Sequence, residues 1–327
     1  MRLPAWILNR LQPLWLAYGI AGACFLVLTA SASAQTAPKP TPAAAKQTTF
    51  ETPEQAAEAL VAAAEKDDVS ALEQMLGPDG HDLVATAEPA RDKQQLADFA
   101  AQARQKMSVA TDPKAKNRAI LSVGEEDWPL PVPIVKKTTR WFFDAKAGRQ
   151  ELLYRRIGNN ELDAIQVCQG YVEAQHEYAL QPREGYDVHQ YAQRIISTPG
   201  KQDGLAWQNP DGSWGGPVGE HIARVIEQGY TPGAAPQPYH GYYFKVLKGQ
   251  GPAAPLGKMD FVIEGVMIGG FALVAAPASY SVTGVKTFIV SHDGVVYEKD
   301  LGPKTLEQFK TMELFNPDGT WKPVQPQ

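Results

Sequence analysis

Cysteine is scarce in this chain, which has two cysteines among 327 residues. Cys24 lies in an apolar segment near the N-terminus, and Cys168 stands alone in the remainder. If the N-terminal segment is removed, an intramolecular disulfide is excluded, because a single cysteine has no partner. We therefore expect Cys168 to be a buried core residue, since free cysteine packs as a small hydrophobe.

The sequence also lacks the motifs that mark common catalytic and nucleotide-binding sites. It has no G-x-S-x-G motif, no G-x-G-x-x-G loop and no G-x-x-x-x-G-K-[ST] loop. Cys168 and His176 lie eight residues apart on a predicted helix, too far for a thiolate and its base. An enzyme with Cys168 as its nucleophile stays an alternative only if folding brings another histidine close to this thiol. The candidates are His189, His221, His240 and His292. We assign no catalytic, cofactor-binding or metal-binding residue from the sequence.

Acidic residues outnumber basic ones, and the formal net charge is −5. Residues 1–34 contain two arginines and no acidic residue, so their removal lowers this charge by 2, to −7. Phosphate binding needs basic patches. We therefore expect no nucleic-acid partner, and the missing glycine-rich loops predict no nucleotide.

The N-terminus has the order of features that defines a secretory signal peptide. Arg2 and Arg10 precede an apolar run over residues 14–30, and residues 32–34 form an Ala-x-Ala site. We predict cleavage after Ala34 and a periplasmic or secreted location. Retention of the segment as a membrane anchor is the alternative, because the apolar run reaches the short limit for a spanning helix.

Composition divides the rest of the chain into a linker and two domains. Residues 35–49 are rich in Pro, Ala and Thr and have no large apolar side chain, which predicts a disordered linker. Residues 50–327 exceed one typical domain. We place a boundary at the turn-prone triplet Gly158-Asn159-Asn160, giving domains over 50–158 and 159–327.

The first domain is predicted to consist of helices followed by strands. Thr52 and Pro53 mark the start of a helix with apolar residues at helical spacing. Further helices are predicted over 69–76 and 92–107, strands over 118–123, 132–136, 138–144 and 150–157, and a hairpin connection over 145–148. This order resembles the cone-shaped fold named for nuclear transport factor 2, over about 100 residues.

The second domain is predicted to be one long helix with an antiparallel sheet. The long helix covers 161–179, with Ile165, Cys168 and Val172 on its inner face. Other helices are predicted over 217–228 and 304–312, and strands over 241–247, 261–264, 270–276, 285–291 and 295–299. Residues 291–294 form a tight turn, because Gly294 accepts a positive φ. The fold class is therefore α+β.

Three local features have a structural and a functional interpretation. Glu173 and His176 lie on one helical face and could ligate a metal, but a site needs further ligands, so a solvated face is favoured. The hexapeptides over 209–214 and 316–321 are nearly identical, and their Pro-Asp-Gly core favours a turn over a duplicated binding loop. Aromatic residues cluster over 207–244 and could line a glycan or peptide groove, although a core role is favoured.

Four segments together resemble a family of exported Gram-negative proteins known as domain of unknown function 2950. They are Trp128-Pro129-Leu130-Pro131-Val132-Pro133, Arg140-Trp141-Phe142-Phe143-Asp144, Gly241-Tyr242-Tyr243-Phe244 and the run over 269–275. The resemblance extends from about Phe50 to Trp321. It implies export but no activity.

The second half also resembles the globular head of type IV pilin-like proteins, in which a long helix packs on an antiparallel sheet. The resemblance rests on residues 164–178, 241–244, 271–277 and 284–295. The chain departs from that family because it has no Gly-Phe prepilin cleavage site, and a polar segment over 158–161 replaces the apolar half of the helix. Assembly into a filament is therefore not implied.

Two functions follow from the sequence. The first is a non-enzymatic, envelope-associated binding or interaction module, with an envelope protein, a peptide or a glycan as partner and membrane contact only through a retained signal segment. The alternative is a periplasmic hydrolase whose site lies at the domain interface, where pockets often form.

Export gives the first testable prediction. In a Gram-negative host, we expect mass spectrometry of the periplasmic protein to show a chain that begins at Gln35. Arg10→Glu should slow export, because it removes positive charge ahead of the apolar run. A full-length chain that keeps Met1 in the membrane fraction would contradict cleavage.

Overall fold

The structure is a computed structural model that describes residues 47–85, 89–113, 115–183, 185, 187–221 and 237–325. The predicted signal peptide and nearly all of the predicted linker lie outside these residues, as does most of the helix predicted over 217–228. No helix in the described ranges is long and apolar enough to cross a membrane. Helices and mostly antiparallel sheets confirm the α+β class.

The chain forms two compact units, one up to Leu153 and one from Tyr154. This division falls inside a helix, five residues before the end of the first predicted domain. Whether the two parts fold independently stays a prediction.

The described part of the first unit, from residue 47, begins with four helices. They are α1 Pro53–Glu65, α2 Val69–Leu76, α3 His81–Val84 and α4 Pro89–Gln105. The predicted cap of α1 is confirmed: the Thr52 hydroxyl accepts a hydrogen bond from the Gln55 N–H at 3.2 Å, and Pro53 occupies the first turn. Asp68 caps α2 in the same way through the Ala71 N–H, at 3.0 Å. These caps fix where each helix begins.

The sheet of the first unit has five antiparallel strands. They are β1 Met107–Asp112, β2 Ala115–Val123, β3 Trp128–Pro129, β4 Ile134–Lys137 and β5 Arg140–Phe143. Their order is β1-β2-β4-β5, with β3 paired to β2. The predicted strands over 118–123, 132–136 and 138–144 correspond to β2, β4 and β5, whereas β1 was not predicted as a strand.

Helix α5, Ala145–Tyr178, corrects the prediction for the middle of the chain. The predicted hairpin over 145–148 and strand over 150–157 are both wrong, because both segments are helical. Asp144 caps this helix by accepting a hydrogen bond from the Ala147 N–H at 3.0 Å.

The polar triplet over 158–160 is also helical. Asn160 and the adjacent Glu161 form hydrogen bonds to a loop of the second unit. Asn160 Nδ2 donates to the Thr283 carbonyl oxygen at 2.8 Å. Glu161 Oε1 accepts from the backbone N–H groups of Val285 and Lys286 at 2.8 and 3.0 Å. The polar side chains therefore fasten a loop and do not mark a turn.

The second unit contains a five-stranded antiparallel sheet. Its strands are β9 Tyr242–Leu247, β14 Ala272–Pro277, β15 Lys286–Ser291, β16 Val296–Asp300 and β17 Lys322–Pro323. Their order in the sheet is β17-β16-β15-β14-β9. Four of them match predicted strands. The predicted turn between β15 and β16 is confirmed: Gly294 has a φ of +74° and its N–H bonds the Ser291 carbonyl at 2.9 Å.

Shorter elements complete the second unit. They are β6 Arg194–Ile196, β7 Gly204–Gln208, β8 Trp214–Gly215, β10 Gly249–Gln250, β11 Met259–Asp260, β12 Val262–Ile263, β13 Val266–Met267, a 3₁₀ helix Gly302–Lys304 and α6 Thr305–Thr311. The pair β6 and β7 is parallel. The others form antiparallel pairs, β7 with β8, β10 with β11 and β12 with β13.

One face of α5 belongs to the hydrophobic core of the second unit. Cys168 is fully buried and shares this core with Leu273 and Phe288 of the sheet, as predicted. Ile165 is only partly buried, so its truncation will cost less than that of a fully buried isoleucine.

A buried amide lies in the same core. The side chain of Gln175 donates to the Ala192 carbonyl oxygen and accepts from the Ala192 N–H, both at 2.8 Å. It also donates to the Tyr171 hydroxyl at 2.9 Å. The buried polar atoms of this amide are thus paired.

The burial of Cys168 gives a prediction about its reactivity. Desolvation raises the pKa of the thiol to about 12, and the side chain is inaccessible, so we expect no reaction with Ellman's reagent in the folded protein and one thiol after denaturation. Cys168→Ser should lower the unfolding midpoint more than Cys168→Ala, because a hydroxyl in an apolar site lacks a partner. Rapid labelling of the native protein would contradict the assignment.

Candidate functional site

The first unit contains an apolar cavity of about 100 Å³. Its walls come from all four N-terminal helices, the segment after β3 and the start of α5. The lining residues are Leu60, Ala64, Leu72, Leu76, Leu83, Val84, Gln95, Leu96, Phe99, Leu130, Pro131, Val132 and Leu152. Gln95 is the one polar side chain among them, and it is buried.

Helical spacing in the sequence produces most of these walls. Leu60 and Ala64 of α1 lie four residues apart, as do Leu72 and Leu76 of α2, so each pair projects from one helical face. All four side chains are buried. The same apolar stripes that predict a core therefore form the cavity.

A glycine brings α5 against the cavity wall. A Cβ atom at Gly148 would lie 2.6 Å from a side-chain carbon of Val132, closer than carbon atoms can approach. The absence of a side chain at position 148 therefore permits the start of α5 to pack directly on Val132. Leu152, one turn further along α5, then completes the wall.

The cavity opens where its lining residues are only partly buried. Leu83, Leu96, Leu130 and Leu152 are half-buried, whereas most other lining residues are buried. These four leucines come from α3, α4, the segment after β3 and α5. The opening is thus bordered by four different elements.

A charged pair stands beside this opening. An Arg149 guanidinium nitrogen donates to Asp82 Oδ1, and the two side chains are 43% and 56% exposed. Asp82 is next to Leu83 in α3, and Arg149 precedes Leu152 by three residues on α5, which places Arg149 on the same side of its helix as that lining leucine. The rim of the cavity therefore carries charge although its interior does not.

This arrangement suits binding and not bond-making chemistry. Catalysis by acids, bases or nucleophiles requires titratable groups that reach the substrate. The cavity walls offer carbon atoms and one amide. A group that enters is held by the loss of water from apolar surface.

The structure does not give the residues singled out from the sequence a shared site. The Cys168 thiol is fully buried, which raises its pKa to about 12 and leaves its sulfur out of contact with solvent. Glu173 and His176 are exposed on α5, and His176 contacts the Phe271 ring edge-on at 5.5 Å. Within the described ranges, no group of three His, Cys, Asp or Glu side chains could hold a metal ion.

One histidine of the second unit is oriented by a carboxylate. His240 Nδ1 donates to Asp163 Oδ2 at 2.5 Å, and both side chains are partly exposed. The Tyr239 ring stacks on the His240 ring with 4.2 Å between centroids. The hydroxyl of Tyr239 lies 3.1 Å from His221 Nε2. This polar group is partly exposed, whereas Cys168 is fully buried.

The aromatic residues over 207–244 serve mainly to build the second unit. Tyr242 is fully buried, and Trp207 and Phe244 pack against the core; Tyr230 lies outside the described residues. The Arg183 guanidinium lies 4.9 Å from the Trp207 ring centroid. Arg183 thus covers one face of the Trp207 ring, where a sugar could otherwise stack.

The two similar hexapeptides form turns, but different ones. In the first, the Gly212 N–H bonds the Asn209 carbonyl; in the second, the Trp321 N–H bonds the Asp318 carbonyl. Asp211 and Asp318 each accept hydrogen bonds from the hydroxyl and backbone N–H two residues later, which lowers the pKa of both carboxyls. The aspartates stabilise turns, and the loops are not copies of one site.

Sequence reasoning missed the cavity because nothing distinguishes a lining side chain from a packed one. Leu60, Ala64 and Phe99 fit the helical stripe that predicts an ordinary core. Asp82 and Arg149 are far apart in the chain, and Arg149 was placed beside a predicted strand. With residues 145–153 assigned as a helix, Arg149 and Leu152 would have been predicted to share one helical face.

Comparison with known proteins gives a family without an activity. No curated protein and no solved structure matches the chain. A family model described as "Protein of unknown function (DUF2950)" matches residues 47–324, which include almost every described residue of both units. The chain therefore belongs to the DUF2950 family.

Proposed function

We propose that this protein is an exported, envelope-associated binding module whose first unit holds the apolar end of a small molecule. The cavity beside α1 to α4 is the observation that carries the proposal. Export rests on the order of features in residues 1–34, and the binding role rests on the cavity walls. The protein then acts by sequestering or presenting a molecule without converting it.

The size of the cavity limits what it can enclose. Pockets for drug-sized molecules measure about 300–1,000 Å³. An engineered apolar cavity of about 150 Å³ binds benzene. A cavity of about 100 Å³ therefore accepts a few carbon atoms, and a larger molecule would leave its remainder outside.

The expected affinity is low for the simplest ligands. Each CH₂ group that leaves water contributes about 0.8 kcal/mol, so four of them contribute about 3 kcal/mol. This corresponds to dissociation constants of roughly 1–10 mM. A natural ligand that binds more tightly needs contacts beyond the cavity.

The second unit would supply the interaction surface of the module. The sequence resemblance of this unit to a pilin-like head supports an envelope protein, peptide or glycan as its partner class.

A hydrolase is the second candidate, and the Asp163–His240 pair favours it. A carboxylate that accepts from Nδ1 fixes the imidazole tautomer and leaves Nε2 as a general base. The pair is partly exposed to solvent, whereas the cavity has apolar walls and an opening.

A cavity-filling variant tests the binding proposal. We expect the mature protein to bind n-hexanol in the millimolar range, measured by ligand-observed NMR titration. Ala64→Leu should weaken this binding at least tenfold, because its side chain occupies the cavity, while the thermal unfolding midpoint is kept or raised.

The matched control is Ala101→Leu, which adds the same side chain at an exposed position of α4. It should bind hexanol as the wild type does. Equal binding by wild type and Ala64→Leu, or no binding by the wild type, would sink the proposal.

The hydrolase candidate is tested at His240. We expect the mature protein to hydrolyse p-nitrophenyl acetate no faster than His240→Ala does. His81→Ala is the control, because His81 is another exposed histidine bonded to a carboxylate, Glu73, at 2.6 Å. A loss of about 100-fold or more in His240→Ala alone would favour the hydrolase, since this is what removal of a general base costs.

A further inference from the structure

We propose that the ligand of the cavity is an amphiphile with a short apolar chain and a carboxylate head, and that Arg149 recognises the head. This inference rests on the proposed function of the first unit. It names the class of ligand and assigns a specificity residue.

The cavity is too small to enclose an amphiphile completely. Its volume of about 100 Å³ holds a few carbon atoms, so the polar end of a ligand stays at the opening. The interior offers one amide, Gln95, and cannot neutralise a charge. Discrimination between polar heads must therefore come from groups at the rim.

Arg149 stands where such a head would lie. Leu152 lines the cavity and is half-buried at its opening, and Arg149 precedes it by three residues on the same face of α5. Leu83 of α3 also lines the cavity, and its neighbour in the chain, Asp82, accepts a hydrogen bond from Arg149. The ion pair thus spans two elements that form the rim.

The guanidinium of Arg149 retains donors for a second anion. A single nitrogen bonds Asp82, and the other nitrogens make no bond within the described part of the chain. A guanidinium group carries five N–H donors in a planar fork that matches a carboxylate in two-point contact. With 43% of its side chain exposed, Arg149 can accept a ligand carboxylate beside Asp82 or in its place.

Asp82 is then a competitor for the ligand. It neutralises Arg149 in the empty protein and must give up part of this interaction when a carboxylate arrives. Removal of the Asp82 charge should therefore strengthen carboxylate binding, whereas removal of Arg149 should weaken it. A merely structural ion pair would respond in the same direction to both changes.

The test compares n-hexanoate with n-hexanol, which share an alkyl chain and differ in the head. Dissociation constants are measured by ligand-observed NMR titration at pH 7.5 and low ionic strength for the wild type, Arg149→Gln and Asp82→Asn. We expect the wild type to bind hexanoate about tenfold more tightly than hexanol, since a hydrogen bond between charged groups is about twice as strong as a neutral one.

The variants should change hexanoate binding in opposite directions. Arg149→Gln should abolish the preference for hexanoate, and Asp82→Asn should strengthen hexanoate binding severalfold; hexanol binding should stay within twofold in both. Arg104→Gln is the matched control, because Arg104 is an exposed arginine of the same unit that pairs with Glu65 at 2.7 Å. It should leave both ligands unaffected.

Each failure identifies what is wrong. If hexanol binds and Ala64→Leu blocks it, but hexanoate shows no preference or Arg149→Gln leaves that preference intact, the assignment of Arg149 is overturned while the cavity function stands. Weaker hexanoate binding in Asp82→Asn also overturns it. If neither ligand binds the wild type, the proposed function itself fails.

Discussion

The second unit depends on satisfying the backbone groups of Ala192 inside an apolar core. Ala192 is fully buried and lies in a segment that precedes β6, where no strand partner meets its N–H and carbonyl groups. Gln175 of α5 supplies both partners through one side-chain amide. An unpaired buried group costs about 1–3 kcal/mol. This pairing permits an irregular segment to cross the core beside α5, with Cys168 and Tyr171 packed on the same helical side.

The helices and sheet of the second unit were largely predictable, and the middle of the chain was not. Caps such as Thr52-Pro53 and the Gly294 turn act through local geometry, which a sequence displays directly. The start of α5 was misassigned because Gly148 and Gly158 enclose a short run that contains Leu152 and Ile157, a pattern that is also typical of a strand between turns. The polar residues Asn160 and Glu161 are explained only by a loop more than 120 positions later, which local pattern cannot reveal.

The candidate site was predictable in its parts and not as a cavity. The stripes that contain Leu60 and Leu72 follow from helical periodicity. Whether such stripes meet tightly or leave space is decided by fractions of an ångström in packing, and the sequence holds no direct record of it. The rim pair of Asp82 and Arg149 depends on how α3 and α5 converge, so its charges gain meaning only in three dimensions.

Gly148 controls the spacing between two walls of the cavity. Because a Cβ atom at this position would meet Val132 at 2.6 Å, any larger residue must displace either the valine or the first turns of α5. Val132 lines the cavity, and the first turns of α5 contain Leu152, which lines it too. A residue without a functional group therefore determines how far apart these two walls stand, and a larger side chain there would reshape the cavity by moving them.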